Sequence, residues 1–178
     1  EPVPDGQPGE LIVRPRGAGL AFLEYVDDPE ATANAWHGDW FRTRDRGRLE
    51  DGWLWIDGRL GDVIRRRGVN IDPHPIEEAL LTHPDVVGAA AVAVPSELTE
   101  DEVLAVVVPT AGAEPAPLAL WEHCRLQLPR AMVPRFVSVE QSLPHNGNLK
   151  ADRAALRVRG LPASAWDADA PHPTSRET

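Results

Sequence analysis

Eighteen prolines punctuate a chain of 178 residues. Each proline fixes φ and removes a backbone donor, so helices and strands have to be short and fit between these marks. The opening segment, residues 1–9, is rich in Pro and Gly and reads as a loop entering from something else. The chain starts on Glu1, without an initiator methionine. ELIVR at 10–14 reads as a short strand, and AFLEY at 21–25 as a turn of helix or a strand. DPEATANAW at 28–36 predicts a helix: Asp28 can cap it, Pro29 suits the first helical position, and Glu30 favours the positive end of the dipole. A β-rich stretch follows. Residues 40–49 and 53–60 flank Glu50-Asp51-Gly52, and Asp-Gly between two such runs is a strong hairpin signal. Residues 62–71 predict a second hairpin, turning near Arg67-Gly68.

Beyond this point helical signals alternate with apolar runs. Asp72 caps a predicted helix over 73–82 with Ile76, Ala79 and Leu80 on one face, ended by His83-Pro84. Residues 86–94 and 102–109 predict two strands, the second apolar enough to be buried on both faces. A helix over 118–128 carries Leu120, Cys124 and Leu128 on one face. Residues 135–140 predict a third strand, 143–150 an exposed loop, and 151–159 a short final helix. From Gly160 onward Pro, Ala, Ser and charge alternate without a period, which reads as a disordered tail. The expected fold class is α+β. Residues 1–58 form a β-rich remnant of a larger domain and do not close a core alone. Residues 59–158 form a small domain: a β-hairpin and a three-stranded sheet with helices packed on one face. Residues 159–178 are the tail.

Charge and composition exclude several functions. Asp plus Glu number 28 against 18 Lys plus Arg, a formal charge of −10. A non-specific nucleic-acid binder needs the opposite sign to displace counterions from phosphates, and so does adsorption to anionic lipid. No apolar run approaches the ~20 residues of a membrane span, and no signal-peptide pattern opens the chain. A single cysteine, Cys124, allows no intrachain disulfide and no Cys-cluster zinc site. A cytoplasmic protein without nucleic-acid partner or membrane span is expected. The basic residues are seventeen arginines and one lysine, Lys150. A planar fork and a compact point charge are not interchangeable where one atom must be reached.

Common catalytic motifs are missing. No GxGxxG opens a helix after a strand, there is no GxxxxGK[ST] or GxSxG, and the six histidines show no HExxH spacing. Cys124 reads as a small core residue. Three segments stand out. Asp45, between Arg44 and Arg46, is equipped either to accept hydrogen bonds from a sugar diol or to form a surface ion pair, and the local sequence alone favours the ion pair. Gly58-Arg59-Leu60-Gly61-Asp62 joins the two halves, where glycine either lets the backbone swing or makes a turn. His145-Asn146-Gly147-Asn148-Leu149-Lys150 puts the lone lysine on a polar loop at the base of a helix, facing either an anionic ligand or water. Arg65-Arg66-Arg67 offers phosphate contacts or a solvated hairpin tip.

In this order, GELIVR, DPEAT, GDWFRTRDRGRLEDGWLWIDGRLGDVI, RGVNIDPHPIEEALLTHPDV and MVPRFVSVEQSLPHNGNLKADRAAL resemble successive blocks of the adenylate-forming superfamily: acyl-CoA synthetases, luciferases and nonribosomal-peptide adenylation domains. The resemblance covers residues 9–157. It implies that Asp45 binds the ribose hydroxyls of ATP and that Arg59 also reaches the nucleotide. Gly61 falls at the hinge about which the C-terminal domain rotates between half-reactions. Gly68 and its neighbours match the loop lining the pantetheine channel. Lys150 matches the lysine that bridges the carboxylate and the α-phosphate during adenylation, an electrostatic and positioning role. The implied cofactors and partners are ATP, Mg2+ carried by ATP rather than bound by this chain, coenzyme A, a small carboxylate, and an upstream AMP-binding domain.

The chain departs from the family pattern at four places. The family has Gly where Arg44 and Leu149 stand, Leu where Arg46 stands, and Asp or Lys at Gly61. The family's Ser/Thr/Gly-rich phosphate loop and its adenine and acyl pockets have no counterpart here. The resemblance therefore implies the C-terminal part of an AMP-forming carboxylate–CoA ligase, inactive alone. Two alternatives stand beside it: an adenylation enzyme that loads a carrier protein, although no LGGxS motif follows Lys150, and a non-catalytic lid or binding module acting in trans.

Overall fold

The structure is a computed structural model that describes residues 2–17, 19–97 and 100–170. It divides into two compact units, Glu1–Gly61 and Asp62–Thr178. The boundary falls three residues beyond the expected one. Strand pairing extends to Arg59, and the Leu60 N–H donates to the Arg44 carbonyl at 2.9 Å, so 59–61 stay with the first unit.

In the first unit β1 (Gly9–Val13) precedes α1 (Pro29–Ala35), β2 (Trp36–His37), β3 (Trp40–Glu50) and β4 (Trp53–Arg59). The long β3 is the centre of an antiparallel sheet and pairs with β1, β2 and β4. Asp51 and Gly52 both take positive φ, 51° and 80°, the backbone twist that a two-residue hairpin needs. The Asp28 carboxylate accepts the Ala31 N–H at 2.8 Å and caps α1 as expected. Residues 21–25 form neither helix nor strand. Phe22 instead packs on Tyr25 and Phe41, with ring centroids 4.5 and 5.4 Å away. Aromatic packing, which a local pattern does not report, decides that segment. Ala35 is the buried hydrophobic side chain of this unit among the described residues, while Trp53, Leu54, Trp55 and Ile56 on β4 are exposed.

The second unit opens with the predicted hairpin, β5 (Ile64–Arg66) and β6 (Val69–Ile71), whose turn residues Arg67 and Gly68 have φ of 50° and 77°. Then come α2 (His74–Leu81), β7 (Val86–Pro95), β8 (Asp101–Pro109), α3 (Pro117–Gln127), β9 (Phe136–Val139), α4 (Arg153–Arg159) and β10 (Trp166–Asp167). Pro73 occupies the cap position of α2, yet the Asp72 carboxylate still accepts the His74 N–H at 3.1 Å. The sheet order is β10-β9-β8-β7. β7 and β8 are antiparallel, α3 crosses over to bring β9 parallel to β8, and β10 pairs antiparallel with β9.

Two expectations are corrected. The sheet has four strands, not three, because the segment read as a disordered tail turns back onto β9. Arg135 holds it through a two-pronged contact, Nε and one terminal nitrogen each 3.0 Å from an Asp167 oxygen, and Trp166 packs 6.1 Å from Trp121. Residues 171–178 of that tail lie outside the described residues. Helices also cover both faces of the sheet, not one. Ala91, Val103, Ala105, Val107 and Val137 pack on one side with α2, α3 and the hairpin. Ala90, Val92, Val94, Leu104, Val106 and Phe136 pack on the other with Leu156 of α4. The period-2 alternation of β7 and β8 sends apolar side chains both ways, so each face needs cover. Cys124 lies in the first of these cores, where burial pushes its thiol up to about 12; it is a protonated, unreactive packing residue. No helix among the described residues is long and apolar enough to cross a membrane.

Candidate functional site

Asp45 sits on β3 directly opposite Arg59 of β4. The Arg59 Nε donates to Asp45 Oδ1 at 3.4 Å. The Arg59 side chain is 69% exposed and that of Asp45 35%, so this pair is worth at most ~1 kcal/mol and leaves the carboxylate open to a ligand. The cation facing Asp45 is thus the cross-strand arginine. Adjacent positions along a strand send their side chains to opposite faces. Thr43 holds the acid's backbone: its hydroxyl donates to the Leu11 carbonyl at 2.8 Å and accepts the Asp45 N–H at 3.0 Å. The pairing of β3 with β4 shifts register between Arg46 and Gly47, a bulge next to the acid. At Gly47 a Cβ would run into the Trp55 carbonyl, so only glycine lets β4 close here. Thr43 and Gly47 escaped the sequence reading, although a lone glycine inside a strand pattern is the mark of a bulge.

Gly61 closes the first unit. Its φ is not positive and a Cβ there would meet open space, so the backbone does not demand glycine at this joint. Asp62 opens the second unit and is held by α4: Arg153 donates to it at 2.9 Å, and Arg157 lies 3.5 Å away. Arg153 also grips Glu77 of α2 with two contacts of 2.8 and 2.5 Å, and the buried Glu77 accepts the Ala91 N–H of β7 at 2.9 Å. The hydrogen bonding of Arg153 to the Glu77 carboxylate is the largest of the influences that raise its guanidinium pKa. Arg153 was read as one more basic residue of a short helix; the sequence holds no local sign of partners 76 and 91 residues away.

Lys150 ends a tightly tied loop. Leu143 is buried at its base, the Asp152 N–H donates to the Pro144 carbonyl at 2.8 Å, and His145 bridges to Ala151. Asn146 and Lys150 close the tip, with the Asn146 N–H 2.8 Å from the Lys150 carbonyl. Lys150 itself is exposed, and its ammonium makes no hydrogen bond or ion pair among the described residues. Leu149 has φ 59° and Arg44 has φ 60°. At both positions the resembled family has glycine. Holding a non-glycine residue in this left-handed region costs roughly 1–2 kcal/mol at each position.

Gly68 lies in the second unit, at the tip of the β5–β6 hairpin. Arg66 ties this tip down. One terminal nitrogen donates to the Ala131 and Val133 carbonyls at 3.0 and 2.8 Å, and Nε lies 2.6 Å from the buried carboxylate of Glu102. Beside it is a cavity of about 970 Å³ lined by Arg66, Arg67, Arg125, Arg130, Arg135 and Trp121. Of the arginine triplet, Arg65 is not among its lining residues and pairs with Glu100 at 3.5 Å.

Residues 75–150 match the family described as AMP-binding enzyme C-terminal domain. A sulfoacetate–CoA ligase of Cupriavidus necator is 37% identical over 158 residues, covering 88% of this chain and 30% of that protein. The amide bond synthetase McbA of Marinactinospora thermotolerans has TM-score 0.68 at 35% identity, covering 88% of this chain and 32% of its own. The o-succinylbenzoate–CoA synthetase of Bacillus subtilis, solved with its acyl-adenylate intermediate, has TM-score 0.72 at 25% identity, covering 86% and 31%. The chain belongs to the adenylate-forming superfamily and matches its C-terminal portion. It spans about 30% of the length of the curated relatives it matches.

Proposed function

We propose that this chain is the C-terminal part of an ATP-dependent, AMP-forming carboxylate–CoA ligase. A carboxylate attacks the α-phosphate of ATP, giving acyl-AMP and pyrophosphate. The CoA thiolate then attacks the acyl carbon, and AMP leaves. Lys150 is the catalytic residue of the first step, its ammonium set between the carboxylate and the α-phosphate. Asp45 takes the ribose hydroxyls and Arg59 the nucleotide. Gly61 is the joint that swings residues 62–178 between the two steps, and the Gly68 turn lines the passage of the pantetheine arm. Mg2+ enters with ATP and is not bound by this chain. The phosphate-gripping loop and the acyl pocket belong to an upstream AMP-binding domain, so the 178-residue chain alone is inactive. The setting is the cytoplasm, where ATP and CoA are supplied.

The observation that carries this reading is the exposed ammonium of Lys150 on a loop closed by hydrogen bonds between Asn146 and Lys150. The arginine-lined cavity favours free CoA as acceptor. The nucleotide end of CoA bears phosphates that a carrier-bound pantetheine arm lacks, and an arginine cluster complements them. The test is to supply the full-length protein with ATP, Mg2+, a panel of carboxylates and either CoA or a pantetheinylated carrier protein. Pyrophosphate, AMP and an acyl-CoA are expected for at least one acid. Release of ADP, or an acyl-carrier product with none on CoA, would overturn the reading.

A further inference from the structure

We propose that Asn146 is a positioning residue for Lys150, acting through the backbone of the loop between them; this rests on the catalytic reading of Lys150. Four hydrogen bonds join Asn146 to Asn148, Leu149 and Lys150. Its side-chain Oδ1 accepts the N–H of Asn148 at 2.9 Å and that of Lys150 at 3.2 Å. Its own N–H donates to the Lys150 carbonyl at 2.8 Å, and its carbonyl accepts the Leu149 N–H at 3.0 Å. Both peptide groups of Lys150 are therefore fixed from one residue, while its side chain is left to reach. The left-handed Leu149 turns the chain so that this closure is possible, and a non-glycine residue there needs outside support to stay in that region.

The residue type fits the task. A carboxamide oxygen accepts two N–H groups without a charge. An aspartate would offer the same oxygen with a full negative charge beside a cation that has to meet a carboxylate and a phosphate. The loop is exposed from Asn146 to Lys150, so the clamp contributes to the placement of the ammonium and not to the core. A catalytic group held loosely loses rate rather than substrate affinity, because the transition state is the species that depends on its exact placement.

The experiment compares Asn146→Ala and Asn146→Asp with Lys150→Ala in the full-length protein. It reads carboxylate-dependent ATP–pyrophosphate exchange, thioester formation from supplied acyl-adenylate, and thermal unfolding. Asn146→Ala is expected to lower the kcat of exchange about tenfold, the worth of one or two backbone hydrogen bonds. KM for ATP and acid, thioester formation and the unfolding temperature stay at wild-type values. Asn146→Asp, which keeps the acceptor, is expected to recover part of the loss and to recover more as salt is raised. Wild-type exchange by Asn146→Ala in a protein that Lys150→Ala inactivates would overturn the positioning role alone, as would an equal loss in both half-reactions. Wild-type exchange by Lys150→Ala would instead overturn the catalytic reading beneath it.

Discussion

On the proposed function, replacing Lys150 by alanine in the full-length protein is expected to lower acyl-adenylate formation about 10²–10³-fold, the usual worth of a preorganised charge aimed at developing negative charge. In the adenylation step a carboxylate approaches an anionic phosphate; the two repel until the bond forms, and charge then shifts from the attacking oxygen to the phosphoryl oxygens and the departing pyrophosphate. The ammonium of Lys150 is the compact cation that can stand between them, and its stem is unencumbered. Lys150→Arg does not rescue the rate, since a planar fork cannot put a single point charge between two oxygens. Thioester formation from supplied adenylate is expected to stay near wild type, because in the proposed second step residues 62–178 have swung about Gly61 and Lys150 no longer faces the phosphate. Single-turnover assays of each half-reaction make the comparison, and equal loss in both would contradict the assigned role.

Replacing Arg153 by methionine destabilises the second unit by about 3 kcal/mol, the low end for breaking a buried ion pair by removing one partner. The substitution leaves the buried carboxylate of Glu77 with the Ala91 N–H as its one remaining partner among the described residues, and frees Asp62 from its shortest contact. The low end applies because the Arg153 side chain is 25% exposed and water can partly replace it. Amide hydrogen exchange of β7 and β8 in the full chain reads this loss, since those strands carry both cores. Glu77→Gln together with Arg153→Met should recover much of it, as no buried charge is left alone. Unchanged protection in the single variant would show that the contact contributes nothing.

Much of the fold could be read from the sequence, and the failures have a common cause. Short-range signals worked: Asp28 and Pro29 start α1, Asp51-Gly52 and Arg67-Gly68 turn two hairpins, and the apolar run of β8 is buried on both faces. Contacts across long separations were silent. The pairing of Trp166–Asp167 with β9 depends on Arg135, 32 residues earlier, and the 160–170 segment alone has no period to betray it. Phe22 packs on Phe41 rather than entering an element of its own. The same holds at the site. Lys150 was conspicuous as the single lysine and Asp45 as an acid among arginines, but their supports, Thr43, Gly47, Asn146 and Arg153, act through backbone or distant partners that composition cannot show. At Arg44 and Leu149, where the sequence departs from the family pattern, the backbone is left-handed, a conformation that glycine adopts without strain.

The most direct test is a crystal structure of the full-length protein with a non-hydrolysable acyl-adenylate mimic in the adenylation pose. The expected result is the Asp45 carboxylate within hydrogen-bond distance of both ribose hydroxyls and the Lys150 ammonium against the bridging group between acyl and adenosine. An ammonium pointing into bulk water, with Asp45 away from the ribose, would contradict the proposed function at its centre.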